Sequence, residues 1–247
     1  MNTLFVGHNL LKFPSLPSTN DCCWELLSDK SLPDGTVVWT PLQTQGKGQR
    51  GKSWLTEEGN SLPFSIVFKP KVNVSEQFFL NKAIALGVCE GICSLGLEAE
   101  IKWPNDIYIG AKKVAGILIE NSLRGSLLQE VVVGIGVNIN QEVFAEDLPN
   151  PISLKQSLQQ SFDLESVMKE LCYYIEKRYM QFKAGHSEKI DIDYHSVLYR
   201  HQKMQNFRKG IDCFEAQVLG VDEKGKIKLL HQGEVAVYAM GEVEFIS

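Results

Sequence analysis

Residues 102–120 read Lys-Trp-Pro-Asn-Asp-Ile-Tyr-Ile-Gly-Ala-Lys-Lys-Val-Ala-Gly-Ile-Leu-Ile-Glu. A strand that enters Trp103-Pro104-Asn105 must turn there, because proline has no amide donor and Asn and Asp side chains stabilise turns. The β-branched run over 114–120 then predicts a buried strand. We expect the turn to bring Lys102 and Asp106 together, with Lys113 at the start of the next strand, although a plain hairpin with solvated lysines remains an alternative.

Regular elements are predicted on both sides of this stretch. Strands are expected at 36–42, 61–68, 99–103 and 128–137, and the last two join 114–120 in the middle of a sheet. Apolar spacing of three and four predicts a helix from Ser75 to Gly96 and another after Asp163, with short helices after Asn20 and Ser153 and over 194–201. Short strands with glycine turns at 211–218, 226–231 and 234–238 predict a small β-barrel, so we expect domains at 1–203 and 204–247.

The composition is that of an ordinary globular protein. The 247 residues are 44% hydrophobic and 22% charged, with a net charge of -5 and a pI near 5.6, so no nucleic-acid-binding surface is expected. No segment has the length and apolarity of a membrane span or signal peptide, which predicts a cytoplasmic protein without membrane contact. The six cysteines lack the spacing of a zinc set, and no metal-ligating residues are predicted.

A glycine-rich loop follows the first predicted strand. The twelve residues from Gln43 to Trp54 contain three glycines, three cations and no acid. Glycine permits close backbone approach to a ligand, the cations offer charge to a phosphate or carboxylate, and Trp54 could stack on a base. The loop has neither the Walker spacing nor the dinucleotide fingerprint, and a solvated surface turn is the alternative interpretation.

Two further segments carry polar groups beside backbone that a ligand could approach. Gly134-Ile135-Gly136-Val137-Asn138 closes a predicted buried strand, where the glycines permit close approach and Asn138 adds an amide; a bare structural bulge is equally consistent with this segment. Ser18-Thr19-Asn20 precedes a helix, and helix capping is the simpler interpretation of any one of these residues.

Taken together and in this order, the segments resemble the catalytic domain of biotin protein ligases. The resemblance rests on Ser18-Thr19-Asn20, on 46–54, on Lys102-Trp103-Pro104-Asn105-Asp106 with 113–117, and on 134–138. It extends over essentially the whole chain, including a C-terminal barrel like the SH3-like domain of the family. It implies an α+β fold in which a mixed sheet is backed by helices.

The resemblance also implies a two-step reaction. Biotin's carboxylate attacks the α-phosphate of ATP to give biotinyl-5′-AMP and pyrophosphate, and a lysine of a biotin carboxyl carrier domain then displaces AMP. By resemblance, biotin is held by Ser18, Thr19 and Gln43, and its carboxylate by Lys113. The expected catalytic residues are Lys113, Asp106 and Lys52, and the expected substrate-binding residues are Ser18, Thr19, Asn20, Gln43, Gly46, Lys47, Gly48, Gln49, Arg50, Trp54, Lys102, Asn105, Gly116 and Asn138.

The chemistry of this reaction agrees with those residue types. A carboxylate approaching a triphosphate brings two anions together, so positioned cations and Mg²⁺ must relieve the repulsion. No nucleophilic side chain is needed, and the histidines lie outside the motifs. In the second step the acceptor lysine must lose a proton, and Asp106 is the candidate to orient or receive it. A loop that closes would protect the mixed anhydride from water.

Some features depart from the family pattern or leave alternatives open. The family loop often has arginine where this chain has Lys47 and Gln49, and Gln49 removes a cation, which implies weaker retention of the adenylate. A lipoate or octanoate ligase shares the fold, but its arginine and triple-glycine pattern is absent. A biotin-responsive DNA-binding regulator is a further alternative, although the match begins near Ser18 and is expected to leave no room for a helix-turn-helix. A homodimer is possible.

Overall fold

In the computed structural model, which describes residues 2–29 and 31–246, the larger part of the chain forms a mixed sheet. The strand order is β1-β2-β3-β8-β7-β6-β5, with β4 paired to β8; β1 and β2 are parallel and the other neighbours are antiparallel. The strands are β1 Leu10–Lys12, β2 Thr36–Trp39, β3 Ser61–Phe68, β4 Val72–Asn73, β5 Ala99–Lys102, β6 Asp106–Ile109, β7 Lys112–Arg124 and β8 Leu127–Asn138.

Helices cover both faces of this sheet. The long helices α2, which is apolar, and α4, which is amphipathic, pack together over one face, where Phe64, Ile66 and Val133 are fully buried. Helix α1 packs over part of the other face, against Val67 and Val132. The alternation along β3 and β8 thus serves two cores at once. The helices are α1 Thr19–Asp29, α2 Gln77–Cys93, α3 Leu154–Leu158, α4 Leu164–Lys183 and α5 Ser187–Ser196.

A second, antiparallel sheet docks on the first part. Its order is β12-β11-β10-β9-β13. Trp103 Nε1 donates to Gly225 O at 2.9 Å, and the fully buried Lys82 of α2 donates to Val221 O at 3.2 Å. These contacts hold the second sheet beside the turn that follows β5. The strands are β9 Met204–Lys209, β10 Asp212–Val221, β11 Ile227–His231, β12 Glu234–Tyr238 and β13 Glu244–Phe245.

The expected fold class, a mixed sheet backed by helices with a small C-terminal β-structure, is confirmed. The strand over 61–68 is confirmed as β3, and Ser153 and Asp163 cap α3 and α4 through bonds from Gln156 N and Ser166 N. The other expected strands are present, most with bounds shifted by a few residues. The short strands β1, β4, β6, β9 and β13 were not predicted, because runs of two to six residues carry little periodic signal.

Three expectations were wrong. The strand at 99–103 is β5, at the edge of the sheet rather than in its middle. The segment 194–201 is not a helix throughout, because α5 ends at Ser196 and the chain then runs along β5, where Tyr199 N donates to Ile101 O at 2.9 Å. This segment covers an otherwise open strand edge, and edge pairing replaces the helical bonds.

The third wrong expectation concerns the start of α1. The helix begins at Thr19, so Asn20 lies in its first turn, and Ser18 Oγ accepts from Asp21 N at 3.4 Å. The Asn20 side chain is therefore free for tertiary contacts. None of the helices in the described residues is long and apolar enough to cross a membrane.

Candidate functional site

One row of paired residues crosses the larger sheet. Lys102 pairs with Asp106, Asp106 with Gly116, Gly116 with Gly136, and Gly136 with Pro63. Directly paired residues project from the same face of a sheet, so these segments share one surface although they are distant in sequence. The regular register through 134–138 also excludes a bulge there.

A cavity of about 970 Å³ lies over this row. Its walls come from the glycine-rich loop, the turn after β5, strands β7 and β8, and the start of α1. On β8 the apolar residues Val133, Ile135 and Val137 face the core, which leaves Gly134 and Gly136 on the cavity face. A larger residue at either glycine would fill part of the cavity, so the glycines make its floor flat.

One end of the cavity is made of buried, uncharged polar side chains. Gln43 Oε1 accepts from Thr19 N at 2.7 Å and from Thr19 Oγ1 at 3.0 Å. Ser65 Oγ donates to Asn20 Oδ1 at 2.6 Å and lies 2.7 Å from Thr19 Oγ1. A Cβ on Gly134 would overlap Asn20 Oδ1. This network, the neutral end, fixes hydroxyl and amide groups in a site shaped for a neutral polar ligand.

A carboxylate supports the neutral end from the adjacent strand. Glu120 of β7 accepts from Asn20 Nδ2 at 2.7 Å, and Trp24 Nε1 lies 3.4 Å from the same oxygen. Because the amide of Asn20 thus has partners for both its oxygen and its nitrogen, its orientation is fixed. This accounts for the position of Asn20 inside α1 rather than at its cap.

The Trp54 indole lies at the middle of the cavity, packed against Gly116 and Gly136 of the row. A Cβ on Gly136 would overlap the indole, and one on Gly116 would lie 3.2 Å from Trp54 Cζ3. The indole Nε1 is buried and has no hydrogen-bond partner among the described residues. The Trp54 ring therefore lies between the two ends, with its N–H turned against the sheet rather than toward open space.

The other end of the cavity, the cationic end, contains Lys113 and Lys102. Lys113 Nζ forms an ion pair with Asp106 Oδ1 at 2.7 Å and lies 5.7 Å from the Trp54 ring centroid. The side chains of Lys113 and Asp106 are 28% and 25% exposed, so the pair is partly shielded from water. Asn138 Nδ2 donates to Lys113 O at 3.3 Å and thereby holds the strand that carries the ammonium.

Lys102 lies nearer the second sheet. Its Nζ donates to Tyr108 OH at 3.1 Å, and burial lowers the pKa of Lys102 below the ordinary lysine value. Asn105 keeps the intervening turn in place: its Nδ2 donates to Ile117 O, and its carbonyl accepts from Ile117 N at 3.0 Å. The two ammonium groups thus project from rigid elements rather than from loops.

The glycine-rich loop closes on itself at the mouth of the cavity. Trp54 N donates to Gly46 O at 2.8 Å, and Gly48 N donates to Lys52 O at 2.7 Å. Lys47 Nζ pairs with Asp21 of α1 at 2.7 Å. At the other side the Arg50 guanidinium lies so close to Gly241 that a side chain there would collide with it. The loop therefore bridges α1 and the second sheet.

Most of the residues predicted from sequence line this cavity, but Gly46 is not a lining residue in the described part of the chain. Gly46 instead permits the loop to close, since a Cβ there would overlap Trp54 O. The predicted residues that line the cavity are Ser18, Thr19, Asn20, Gln43, Lys47, Gly48, Gln49, Arg50, Lys52, Trp54, Lys102, Asn105, Asp106, Lys113, Gly116 and Asn138.

Sequence reasoning missed wall residues at 55–57, directly after the loop, and two longer wall segments, within 141–149 and 240–245. The first of the longer segments lies in the stretch between β8 and α3, and connections of this length are usually functional, so the loop length was a usable signal. The second comes from the far end of the chain and carries no local signal. Among the described residues, no group of three or more His, Cys, Asp or Glu side chains could hold a metal ion.

Comparison with known proteins supports one family. The model of the Biotin/lipoate A/B protein ligase family matches residues 12–138. The bifunctional ligase/repressor BirA of Bacillus subtilis is 29% identical over 246 residues, which cover 97% of this chain and 75% of the relative. The biotin–[acetyl-CoA-carboxylase] ligase of Paracoccus denitrificans is 37% identical over 100 residues, or 39% of this chain and 41% of the relative.

A solved structure extends the similarity to the whole fold. The biotin protein ligase from Aquifex aeolicus in complex with biotin and ATP superimposes with a TM-score of 0.80 at 26% identity. The match covers 97% of this chain and 99% of that one, so it includes the second sheet as well as the first.

Proposed function

The chain belongs to the Biotin/lipoate A/B protein ligase family, and we propose that it activates biotin with ATP as biotinyl-5′-AMP and transfers the biotinyl group to a lysine of a biotin carboxyl carrier protein. It is a ligase, as its relatives and the Aquifex aeolicus enzyme are. The observation that carries the proposal is the polarity of the cavity. A buried uncharged end and a cationic end face each other across two glycines.

This polarity suits a substrate that is neutral at one end and anionic at the other. The ureido ring of biotin is uncharged and needs hydrogen-bond partners, which Thr19 and Asn20 supply at the neutral end. Its carboxylate would then lie beside the Trp54 indole that covers Gly116 and Gly136, on the side of Lys113, where it can meet a phosphate. Trp54, beside these glycines, is suited to cover adenine by stacking.

In the first step a carboxylate oxygen of biotin forms a bond to the α-phosphorus of ATP, and the bond to pyrophosphate breaks. Lys113 is placed to contact the carboxylate and the α-phosphate, and Lys52 and Lys102 add positive charge around the departing pyrophosphate. Mg²⁺ enters with ATP as part of the substrate, since this ion binds phosphate oxygens and needs few protein carboxylates. Because Asp106 and Asn138 fix Lys113, the charge is in position before the reaction.

In the second step the acceptor amine attacks the carbonyl carbon of the mixed anhydride, an amide bond forms and AMP leaves. The attacking lysine must first lose a proton. Asp106 lies beside Lys113 at this end and is our candidate to orient or receive the acceptor ammonium. The self-closed loop from Gly46 to Trp54 is suited to exclude water from the anhydride meanwhile.

We place the remaining features of the protein in the same scheme. Residues 1–203 form the catalytic domain, and residues 204–247 form an SH3-like domain. The acceptor is the carrier domain of acetyl-CoA carboxylase or a related biotin enzyme, the reaction takes place in the cytoplasm, and neither nucleic acid nor membrane takes part. A homodimer is compatible with this scheme.

Intact mass spectrometry tests the proposal directly. The protein is incubated with ATP, Mg²⁺, biotin and an apo carrier domain, and the intact mass of the carrier is measured before and after the reaction. We expect one biotinyl group on the carrier, and none when its acceptor lysine is replaced by arginine. Lipoate and octanoate are offered in parallel with their own carrier domain. Transfer of either of these in place of biotin would overturn the assignment in favour of a lipoate or octanoate ligase.

A further inference from the structure

Three aromatic rings surround the Lys102 ammonium. Its Nζ lies 4.5 Å from the ring centroid of Tyr108, 5.1 Å from that of Phe245 and 5.8 Å from that of Tyr199. A cation within about 6 Å of an aromatic face is attracted by the ring quadrupole. We call these three rings the aromatic box.

The rings of the box come from three separate parts of the chain and support one another. Tyr108 belongs to β6, Tyr199 to the segment that covers β5, and Phe245 to β13 of the second sheet. The centroids of Tyr108 and Tyr199 are 5.4 Å apart, and those of Tyr199 and Phe245 are 6.2 Å apart. Phe245 also packs at 4.7 Å on Phe207, which is fully buried in the second sheet. The core of the second sheet thus supports the box.

We propose that Phe245 is a positioning residue for the activation step: through the aromatic box it holds the Lys102 ammonium at the cationic end, where it meets the phosphates of ATP. Phe245 acts through Lys102, which touches the substrate. The inference rests on the proposed function for the identity of that substrate. It assigns the second sheet a part in catalysis beyond closing the cavity wall.

The charges around Lys102 support a role for the box. Burial lowers the pKa of Lys102, the nearby Asp106 opposes this shift, and Lys113 adds to it. Burial also raises the pKa of the Tyr108 hydroxyl, so that group stays uncharged beside the ammonium. The other charged or titratable groups near the box are the Tyr199 hydroxyl, Glu244, which neighbours Phe245 and lines the cavity, and Arg200, whose guanidinium carbon lies 5.2 Å from the Tyr199 ring centroid. Removal of the Phe245 ring would take away a contact that stabilises the ammonium, but it would also admit water. Because burial is the largest cause of the lowered pKa of Lys102, the pKa should rise on balance.

The test compares two variants, each of which lacks one aromatic ring of the second sheet. Phe245→Leu removes the ring over Lys102. The control Phe214→Leu removes a ring of β10 whose centroid lies 5.9 Å from that of Phe207; β10, like β13, pairs with β9. Phe245→Tyr restores an aromatic ring. Each protein is labelled with lysine carrying ¹³C at the ε position, and the Lys102 signal, identified by its loss in Lys102→Arg, is titrated by NMR. Biotin-dependent exchange of pyrophosphate into ATP is measured over the same pH range.

In Phe245→Leu we expect the Lys102 titration midpoint to rise, and the high-pH limit of exchange to rise with it. The kcat of exchange should fall on the order of tenfold, as expected for a displaced ammonium, while the KM for biotin stays constant. Phe245→Tyr should restore both values, and Phe214→Leu should change neither.

Equal behaviour of Phe245→Leu and Phe214→Leu would overturn the inference. So would a slower Phe245→Leu whose Lys102 midpoint does not move, because that result assigns Phe245 a purely structural role. If the unchanged protein performs no biotin-dependent exchange, the proposed function fails. In that case the role of Phe245 is tested separately, by the Lys102 titration and by calorimetry with inorganic pyrophosphate. The role is supported if, in Phe245→Leu but not in Phe214→Leu, the Lys102 midpoint rises and pyrophosphate binds more weakly. Any other result overturns it.

Discussion

The neutral end and the cationic end of the cavity are built in opposite ways. Thr19, Asn20 and Ser65 at the neutral end are buried, uncharged and bonded to one another within the first sheet and α1. Lys102 and Lys113 at the cationic end carry charge, are partly exposed, and depend on contacts from β6 and the second sheet. Under the proposed function, the first arrangement would recognise a ligand, whereas the second would stabilise charge that moves during the reaction.

This difference has a physical reason. A fixed network of neutral groups binds substrate and transition state equally well, so it sets affinity and selectivity rather than rate. Cations near a transferring phosphate act most strongly when charge moves onto the leaving group, so they set the rate. Substitutions at the neutral end should therefore change KM for biotin, and those at the cationic end should change kcat.

The largest effect is expected from Lys113→Ala. Loss of this ammonium should lower the kcat of biotin-dependent pyrophosphate exchange by roughly 10²–10³-fold, comparable to the loss of one transition-state donor. The thermal midpoint should change little, because Lys113 is partly exposed. The matched control is Lys112→Ala, which removes an exposed neighbouring cation and should leave exchange unchanged. Normal exchange in Lys113→Ala would remove this residue from the site.

Gly134→Ala tests the neutral end by filling it. The added Cβ would overlap Asn20 Oδ1, so the network must shift by a few tenths of an ångström or more. With a cost of about 1–3 kcal/mol, KM for biotin should rise about 5- to 150-fold while KM for ATP stays the same. Equal increases in both constants would show that the two ends are not separate.

Gly136→Ala sharpens the same comparison at the middle of the cavity. Here the new Cβ would overlap the Trp54 indole, and the indole must leave the floor of the site. We expect a rise in KM for ATP of about tenfold, the value of a lost stacking contact, with a smaller change for biotin. The emission maximum of the intrinsic tryptophan fluorescence should shift in the same variant as the Trp54 environment changes. An unchanged KM for ATP in the exchange assay would argue against the proposed stacking.

Thr19→Val removes one hydroxyl from the neutral end at constant shape. Gln43 Oε1 and Ser65 Oγ each lose a partner, which costs about 1 kcal/mol or more. The expected result is a rise of roughly fivefold in KM for biotin, with kcat preserved, as measured by pyrophosphate exchange. A fall in kcat with constant KM would place this residue in the charge-stabilising part of the site.

The smallest effect is expected from Gln49→Arg. Gln49 lines the cavity mouth, and an arginine there would add a cation able to bind the adenylate phosphate. Without acceptor, release of free biotinyl-5′-AMP should slow by about two- to fivefold, as measured by chromatography; the factor corresponds to a surface charge contact of about 0.5–1 kcal/mol. If the unchanged protein releases biotinyl-5′-AMP no faster than the variant does, Gln49 does not weaken retention of the adenylate.

Much of the fold could be predicted from local patterns. The helical spacing around Leu171 and the alternation through Val133 and Val137 give α4 and β8 directly, because burial on one face leaves a periodic trace. The motif residues that meet on the row from Lys102 to Gly136 were each identified. The turn predicted that Lys102 and Asp106 lie together, as they do. The adjacency of Gly116 and Gly136 to this pair was not derivable, since it depends on the register of β6, β7 and β8 and on a bulge near Ile107.

The parts that escaped prediction are long-range. The aromatic box brings Tyr108 and Phe245 to one ammonium, and no periodicity links residues so far apart. The segment after α5 that covers the edge of β5 was predicted to be helical. Its pairing with β5, which local sequence does not reveal, decides its structure instead. Asn20 was predicted to cap α1 because Asn is favoured at that position. It lies within the helix instead, and its side chain hydrogen-bonds to Glu120 of β7.

A crystal structure with biotinyl-5′-AMP bound tests the division of the cavity most directly. We predict that the ureido ring lies within hydrogen-bonding distance of Thr19 or Asn20, that the phosphate contacts Lys113, and that adenine stacks on Trp54. An adenylate bound in the reverse direction, with adenine at the neutral end and the ring at Lys113, would contradict the account.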